Sequence, residues 1–102
     1  MSTPRTSDSA LRTLRVLKAL RGHTLNGLAN VELAKALDES PANINRCLNT
    51  LIEAGFATKL ETGRFAPSIG FLQYAMATMD ELNRASARIN EIQARISANS
   101  HH

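Results

Sequence analysis

The short polar side chains between positions 41 and 54 have the composition of a surface that reads nucleic-acid bases. Ser40-Pro41 predicts a helix start, since a capping hydroxyl precedes a proline whose missing N–H costs nothing at the first helical position. At 100° per residue, an arginine, three asparagines and a methyl group gather away from the apolar face: Ala42, Asn43, Asn45, Arg46 and Asn49. Arginine matches guanine, asparagine matches adenine, and a methyl group fits the thymine methyl. We predict that these residues read base edges; the alternative is an ordinary polar surface.

Basic and hydroxyl side chains around this helix are candidates for contacts with a phosphate backbone. Lys59 and Arg64 flank a predicted turn, and Arg12 and Arg15 lie on the polar side of an earlier helix. The predicted phosphate contacts are Arg5, Arg12, Arg15, Thr50, Lys59 and Arg64. Glu61 lies at the same turn, so the alternative is that this turn is only solvated surface. For Arg5 the alternative is a solvated arm that makes no DNA contact.

Length and composition limit the classes of protein to consider. The 102 residues suffice for about one domain, and the net charge of +3 suits a polyanionic partner. Only four aromatic residues are present, which argues against single-strand binding by base stacking. No apolar run approaches a membrane span, and the N-terminus lacks the apolar core of a signal peptide, so we expect a cytoplasmic protein without membrane contact.

The sequence offers little for catalysis or metal binding. The single cysteine, Cys47, excludes an internal disulfide and is expected in the core rather than as a nucleophile. His23 has no serine, cysteine or carboxylate cluster near it in sequence, and His101 and His102 are terminal and could be a tag remnant. Neither a metal-ligand spacing nor a glycine-rich phosphate loop occurs. We therefore expect no enzyme, no metal and no cofactor.

Periodicity and capping signals predict the elements that position these residues. We predict a first helix capped by Asp8 or Ser9 that runs to about Arg21, a second with Asn30 as cap that runs to Leu37, and a third from Ser40 to about Ala54, with a hairpin over 56–66. From Ser68 onward the pattern is helical, and Thr78 with Glu81 predicts a kink or break near Met79 and hence two helices. The predicted core stripes are Leu11, Leu14, Leu17 and Leu20, then Val31, Leu33, Ala34 and Leu37, then Ile44, Cys47, Leu48, Leu51 and Ile52. This order predicts a mainly α fold, a winged helix-turn-helix with a C-terminal helix.

Several motifs of the chain resemble the DNA-binding domain of IclR-type transcriptional regulators, over roughly residues 9–78. They are Ala10–Leu17, Glu32-Leu33-Ala34, Ala42–Leu48, Thr50–Phe56, Gly63-Arg64-Phe65 and Ile69–Leu72. Asn43 and Asn45 stand where that family usually has threonine and histidine, and Cys47 stands in place of a leucine. The resemblance implies duplex DNA as partner. Because the family's ligand-binding domain is much longer than the rest of this chain, we expect no small-molecule effector domain.

An apolar stripe in the last third of the sequence predicts self-association. Its spacing of three and four residues is that of a helix–helix seam, and the predicted dimer contacts are Leu82, Ala85, Ile89, Ile92 and Ile96. For residues 69–79, packing against the chain's own domain is expected instead. The predicted organisation is a flexible arm over 1–7, a winged helix-turn-helix domain over 8–78, a dimerisation helix over 79–98 and a disordered tail over 99–102.

These observations together favour a homodimeric, sequence-specific duplex-DNA-binding regulator that represses transcription. A DNA-binding architectural or recombination accessory protein would use the same module. A winged-helix module that binds protein is the alternative from another class, because the third helix is only weakly basic.

Overall fold

Four helices and one hairpin make up the part of the chain that the structure describes. The computed structural model describes residues 4–99, so the predicted tail beyond 99, the terminal histidines and the first three residues of the arm lie outside the described residues. The elements are α1 (Asp8–Ala19), α2 (Asn30–Leu37), α3 (Pro41–Glu53), β1 (Ala57–Lys59), β2 (Phe65–Pro67) and α4 (Ile69–Asn99). Helix, helix, turn, helix and hairpin in this order form a winged helix-turn-helix, as the sequence predicts.

Side-chain caps begin α1 and α3, but the cap of α1 is Ser7 and not Asp8 or Ser9, which both lie inside the helix. Ser7 Oγ accepts a hydrogen bond from the Ala10 N–H at 3.3 Å, and Ser40 Oγ accepts one from the Asn43 N–H at 3.1 Å, with Pro41 at the first helical position. The predicted cap at Asn30 is wrong. Its amide Nδ2 donates instead to the Pro41 carbonyl at 3.1 Å, and Ala29 takes the capping position. Asn30 therefore links the starts of α2 and α3.

The core lies where α1, α2 and α3 meet. Its fully buried side chains are Val16, Leu20, Leu33, Ile44, Leu48 and Leu51. The stripe predicted for α1 is only partly right, since Leu11 and Leu14 are 38% and 49% exposed. A three-residue repeat steps 60° around a helix each time, so four such leucines cannot all face one core. Val16 and Leu20, four residues apart, share the buried side instead.

Two further apolar side chains of the predicted core lie at the surface. Val31 is exposed at the start of α2, and Ile52 is exposed near the end of α3. At about 100° per residue, Val31 projects about 160° away from the buried Leu33, and Ile52 about 100° away from the buried Leu51, so neither faces the core. Cys47 is buried, as predicted.

A third main-chain segment pairs with the hairpin by hydrogen bonds, which the sequence analysis does not predict. β1 and β2 are antiparallel, with Thr58 opposite Ala66 and Lys59 opposite Phe65. On the other side of β2, Leu28 and Phe65 exchange two N–H···O bonds, each 2.8 Å long. The loop between α1 and α2 is thereby fixed to the wing.

Gly27 permits this close approach of loop and strand. Its φ of +67° is left-handed, and a Cβ there would lie 2.6 Å from the Phe65 carbonyl oxygen and 3.0 Å from Leu60 Cδ1. Only glycine fits both the backbone conformation and the space.

We predict that Gly27→Ala lowers the free energy of unfolding by about 1–2 kcal/mol for the left-handed conformation, plus the cost of the steric clash. Urea unfolding measures this loss. Gly63→Ala is the matched control, because Gly63 also has a positive φ of 86° but nothing within 4 Å of its Cβ position. Equal losses in the two variants would contradict the close approach at Gly27.

The C-terminal helix α4 is continuous, so the predicted break near Met79 is wrong. Thr78 Oγ1 donates to the Tyr74 carbonyl four residues earlier, at 3.2 Å, and does not cap a new helix. Residues up to Phe71 belong to one compact unit, in which the Phe71 ring meets the Phe56 ring edge-to-face at 5.4 Å. From Leu72 onward α4 forms a second unit, within which Glu91 pairs with Arg88 and Arg95.

Among the residues that the structure describes, no helix is both long enough and apolar enough to cross a membrane.

Candidate nucleic-acid interface

The outer face of α3 is a polar surface on which most side chains have no hydrogen-bond partner among residues 4–99. Ala42, Asn45, Arg46 and Asn49 are exposed, on the side of the helix away from the buried Ile44 and Leu48. Over residues 4–99, no hydrogen bond or ion pair engages the side chains of Asn45, Arg46 or Asn49. A rigid helix, held by its buried face, thus presents one guanidinium and two amides to solvent. These groups are free to bond with base edges in a major groove.

Asn43, the fifth predicted base-reading residue, is held by the protein. It is half-buried, and its Nδ2 donates to Glu39 Oε2 at 3.1 Å. The other oxygen, Glu39 Oε1, accepts from Arg12 Nε at 2.9 Å. Because a carboxylate only accepts, the amide orientation of Asn43 is determined, and its carbonyl oxygen is left without a partner. A bidentate adenine contact by Asn43 would require it to leave Glu39.

The carboxylate of Glu39 joins three parts of the helix-turn-helix: α1 through Arg12, the turn itself, and the first turn of α3 through Asn43. The hydrogen bond from Asn43 is the main cause that lowers the pKa of Glu39, and the hydrogen bond and charge of Arg12 lower it further, while partial burial opposes them. Sequence reasoning missed this role. The available signal was an acidic residue in the turn, four positions before an asparagine.

We predict that Glu39 makes the fold sensitive to acid. Since its pKa is lower in the folded chain, its contribution to stability is complete above the ordinary value of 4.5 and is lost as pH falls through the lowered value. Glu39→Gln should remove this part of the pH dependence, measured as unfolding midpoints at neutral and acidic pH. Glu53→Gln on α3 is the control and should keep it. A wild-type pH profile in Glu39→Gln would contradict the prediction.

The wing brings one basic residue to the surface and turns another inward. Lys59 is exposed on β1, with Nζ 5.8 Å from the centre of the Phe65 ring. Arg64 is bonded to the protein by all three of its nitrogens: Nε to the Asn26 carbonyl at 2.9 Å, Nη2 to the Gly27 carbonyl at 3.1 Å, and Nη1 to Glu32 at 2.8 Å. This geometry argues against the phosphate contact that the sequence predicts for Arg64.

The remaining predicted phosphate contacts differ in how free they are. Arg5 and Arg15 are exposed and make no hydrogen bond or ion pair within residues 4–99, although the charge of Arg15 acts at a distance on Glu39. The Nε of Arg12 is bonded to Glu39, and the Thr50 hydroxyl donates to the Arg46 carbonyl at 2.9 Å. The structure therefore leaves Arg5, Arg15 and Lys59 as the unpaired cations of this set.

Within residues 4–99, no group of three or more His, Cys, Asp or Glu side chains is placed to hold a metal ion. The surface that the structure presents is a helix-turn-helix with an open polar face on its second helix, beside a hairpin wing that exposes Lys59. In the described chain, the wing contributes one exposed cation, Lys59, rather than a basic surface, since Arg64 is held by the protein. Together with the open face of α3, this is the arrangement of a winged helix-turn-helix DNA-binding domain.

Comparison with known proteins identifies the family. The model of the IclR helix-turn-helix domain matches residues 9–61, which run from α1 past β1, so the chain belongs to the IclR helix-turn-helix family, a class of DNA-binding domains of transcription regulators. An IclR family transcriptional regulator from Brucella abortus has a similar fold, with a TM-score of 0.59 and 23% sequence identity. The match covers 80% of this chain and 33% of that one, so the chain corresponds to about a third of the Brucella protein. No curated protein matches the chain.

Proposed function

We propose that this chain is a sequence-specific, double-stranded DNA-binding regulator that represses transcription as a homodimer in the cytoplasm. The observation that carries the proposal is the exposed face of α3, where Asn45, Arg46 and Asn49 have no partner in the described protein. A surface that only needs to be soluble usually carries lysine and glutamate pairs. Amides and arginine are instead the side chains that distinguish bases. Occupying a promoter is enough to repress, whereas activation needs a further surface that contacts the polymerase.

The proposed dimer contact is the apolar stripe of α4. Leu82, Ile89, Ile92 and Ile96 are between 42% and 63% exposed, and Ala85 lies between them. Four large aliphatic side chains on one stripe are costly in water, and their spacing of three and four residues is that of a coiled-coil seam. A second copy of the same helix offers the matching surface. The dimerisation helix over 79–98 is part of this proposal, and it lies within the second unit, which begins at Leu72.

Phosphate contacts by Arg5, Arg15 and Lys59 would supply the non-specific part of the affinity. We predict that Lys59→Ala weakens binding to all duplex sequences alike and reduces the log–log salt slope by about 0.9, because one phosphate contact and its released counterion are lost. Titration of a random-sequence duplex at several salt concentrations measures the slope. An unchanged slope would remove Lys59 from the interface.

Selection of bound sequences from a random duplex pool tests the proposed function. The full chain should enrich a palindromic motif, because a two-fold dimer imposes its symmetry on the site. The triple variant Asn45→Ala/Arg46→Ala/Asn49→Ala is the control, and it should keep weak binding but enrich nothing. Enrichment of a single half-site would contradict the dimer. No enrichment by the wild-type chain would favour a winged-helix module that binds protein.

A reporter gene with the selected site in its promoter tests the sign of regulation. Repression requires lower expression when the chain is present and no change with the triple variant. Higher expression would make the protein an activator.

A further inference from the structure

The side chain of Arg64 lies at the junction of three segments that are distant in sequence. It leaves the chain immediately before β2 and bonds the carbonyl groups of Asn26 and Gly27 in the loop before α2. Its Nη1 lies 2.8 Å from Oε1 of Glu32, in the first turn of α2. A planar guanidinium can bond three acceptors in fixed directions at once, which a lysine ammonium on a flexible stem does less well.

Main-chain contacts hold the same junction. Leu28 and Phe65 exchange two hydrogen bonds directly beside Arg64, and Gly27 allows the backbones to meet. Phe65 is also the residue opposite Lys59 in the hairpin, and its ring lies beneath the Lys59 ammonium. Arg64 is thus the direct chain neighbour of the residue on which the exposed cation of the wing rests.

Glu32 connects this junction to the helix-turn-helix. Its Oε1 accepts from the Ala29 N–H at 3.0 Å and so completes the start of α2 as well as the pair with Arg64. The hydrogen bond from Ala29 is the main cause that lowers the pKa of Glu32, and the charge of Arg64 adds to it, while partial burial opposes both. Glu32 is therefore ionised at neutral pH and available to pair with Arg64.

We infer that Arg64 is a positioning residue: together with Glu32 it holds the wing against the start of α2, and its guanidinium stays on the protein when DNA binds. The inference rests on the proposed function, because it concerns how the wing and the recognition helix α3 meet one duplex. It gives Arg64 a different role from Lys59, although both are basic residues of the same hairpin. The fork geometry matters for Arg64, whereas the charge matters for Lys59.

Titration of a random-sequence duplex with the full-length chain and its Arg64 variants distinguishes positioning from phosphate contact. Arg64→Lys should weaken binding about as much as Arg64→Ala, because lysine keeps the charge but loses the fork. For a phosphate contact, lysine would serve as a point charge, and Arg64→Lys would keep the wild-type affinity and salt slope. Circular dichroism and unfolding midpoints identify any variant that fails to fold.

The Glu32→Gln variant tests the inference because the expected change in DNA affinity is opposite to that of simply removing a negative charge. Removing an acid near a DNA-binding surface ordinarily strengthens binding, and Glu61→Gln at the exposed tip of the same wing is the matched control that should do so. Glu32→Gln should instead weaken binding by about two- to fivefold, the range expected for a partly exposed ion pair. Stronger binding by Glu32→Gln, together with wild-type behaviour of Arg64→Lys, would overturn the inference and leave the proposed function intact.

The Nε–H resonance of Arg64 in the NMR spectrum is an independent readout of the bound state. We expect the Nε–H proton to exchange slowly with solvent, and to keep this slow exchange when duplex is added, because the hydrogen bond to the Asn26 carbonyl is kept. Transfer of the guanidinium to a phosphate would move this resonance and overturn the inference. A wild-type chain that binds no duplex at low salt would overturn both the inference and the proposed function.

Discussion

The full-length variant Ile89→Asp/Ile92→Asp is expected to sediment as a monomer and to bind a selected palindromic site about 10²- to 10⁴-fold more weakly than the wild-type chain. Both isoleucines lie on the exposed stripe of α4, 56% and 42% exposed. Two aspartates at facing positions would place four charges in an apolar seam, and their desolvation is not compensated there. A monomer would keep the contacts to one half-site and lose the simultaneous contacts to the other half-site.

A matched pair of substitutions on the other side of the same helix controls for charge and helix propensity. Ala87→Asp/Ala94→Asp adds the same charges about half a turn away from the stripe, where both alanines are exposed. This variant should remain dimeric. Analytical ultracentrifugation measures the mass, and titration on one operator measures the affinity. A wild-type monomer at tens of micromolar would contradict the α4 dimer, whereas a monomeric double variant with wild-type affinity would mean that dimerisation does not serve DNA binding.

The second large effect is expected from Arg46→Ala, which should cost about 1–3 kcal/mol of binding per half-site and relax specificity at one base pair. Arg46 projects from the middle of α3, exposed and without a protein partner in the described part of the chain. Its planar guanidinium can bond guanine O6 and N7 together, and alanine leaves both without a donor. Competition titrations with operators changed at single positions measure the effect.

Arg15→Ala is the contrasting variant for this experiment. Arg15 is an equally exposed arginine but lies on α1, where a phosphate is the expected partner. Its loss should weaken all sequences alike and reduce the salt slope by about 0.9. If Arg46→Ala behaved in the same way, Arg46 would be a phosphate contact and α3 would read sequence through its other residues.

The fold was predictable because its signals are local. Ser40-Pro41 identifies the start of α3, and the chain from Asn30 to Leu37 contains one short amphipathic repeat that became α2. The core of α1 was harder to predict, because leucines at three-residue spacing suggest a stripe that helix geometry does not allow. Val16 and Leu20 carry the burial, while Leu11 and Leu14 stay largely exposed. Hydrophobic residues that recur every three positions drift around the helix, so such a repeat is a weak guide to which face is buried.

The sequence predicts correctly which side chains of the candidate site face solvent on a helix. It does not predict which of them are held by residues that are distant in sequence. The outward face of α3 follows from the helix period, and Arg46, Asn45 and Asn49 lie there. Arg64 and Asn43 had the right chemistry for DNA, but Glu32 and Glu39 hold them. The pair of Arg64 and Glu32 joins positions 32 residues apart in sequence, and no periodicity reports such a contact. A basic residue identified from sequence is a candidate only until its possible carboxylate partners are located.

The bridge between Leu28 and Phe65 also bears on solubility. A two-stranded hairpin ordinarily has two open edges, each able to recruit a strand from another molecule. Here the loop before α2 covers the outer edge of β2 at Phe65. The edge that stays open belongs to β1, which is three residues long and carries Lys59. So short and charged an edge is a poor template for strand addition, which disfavours polymerisation through the wing.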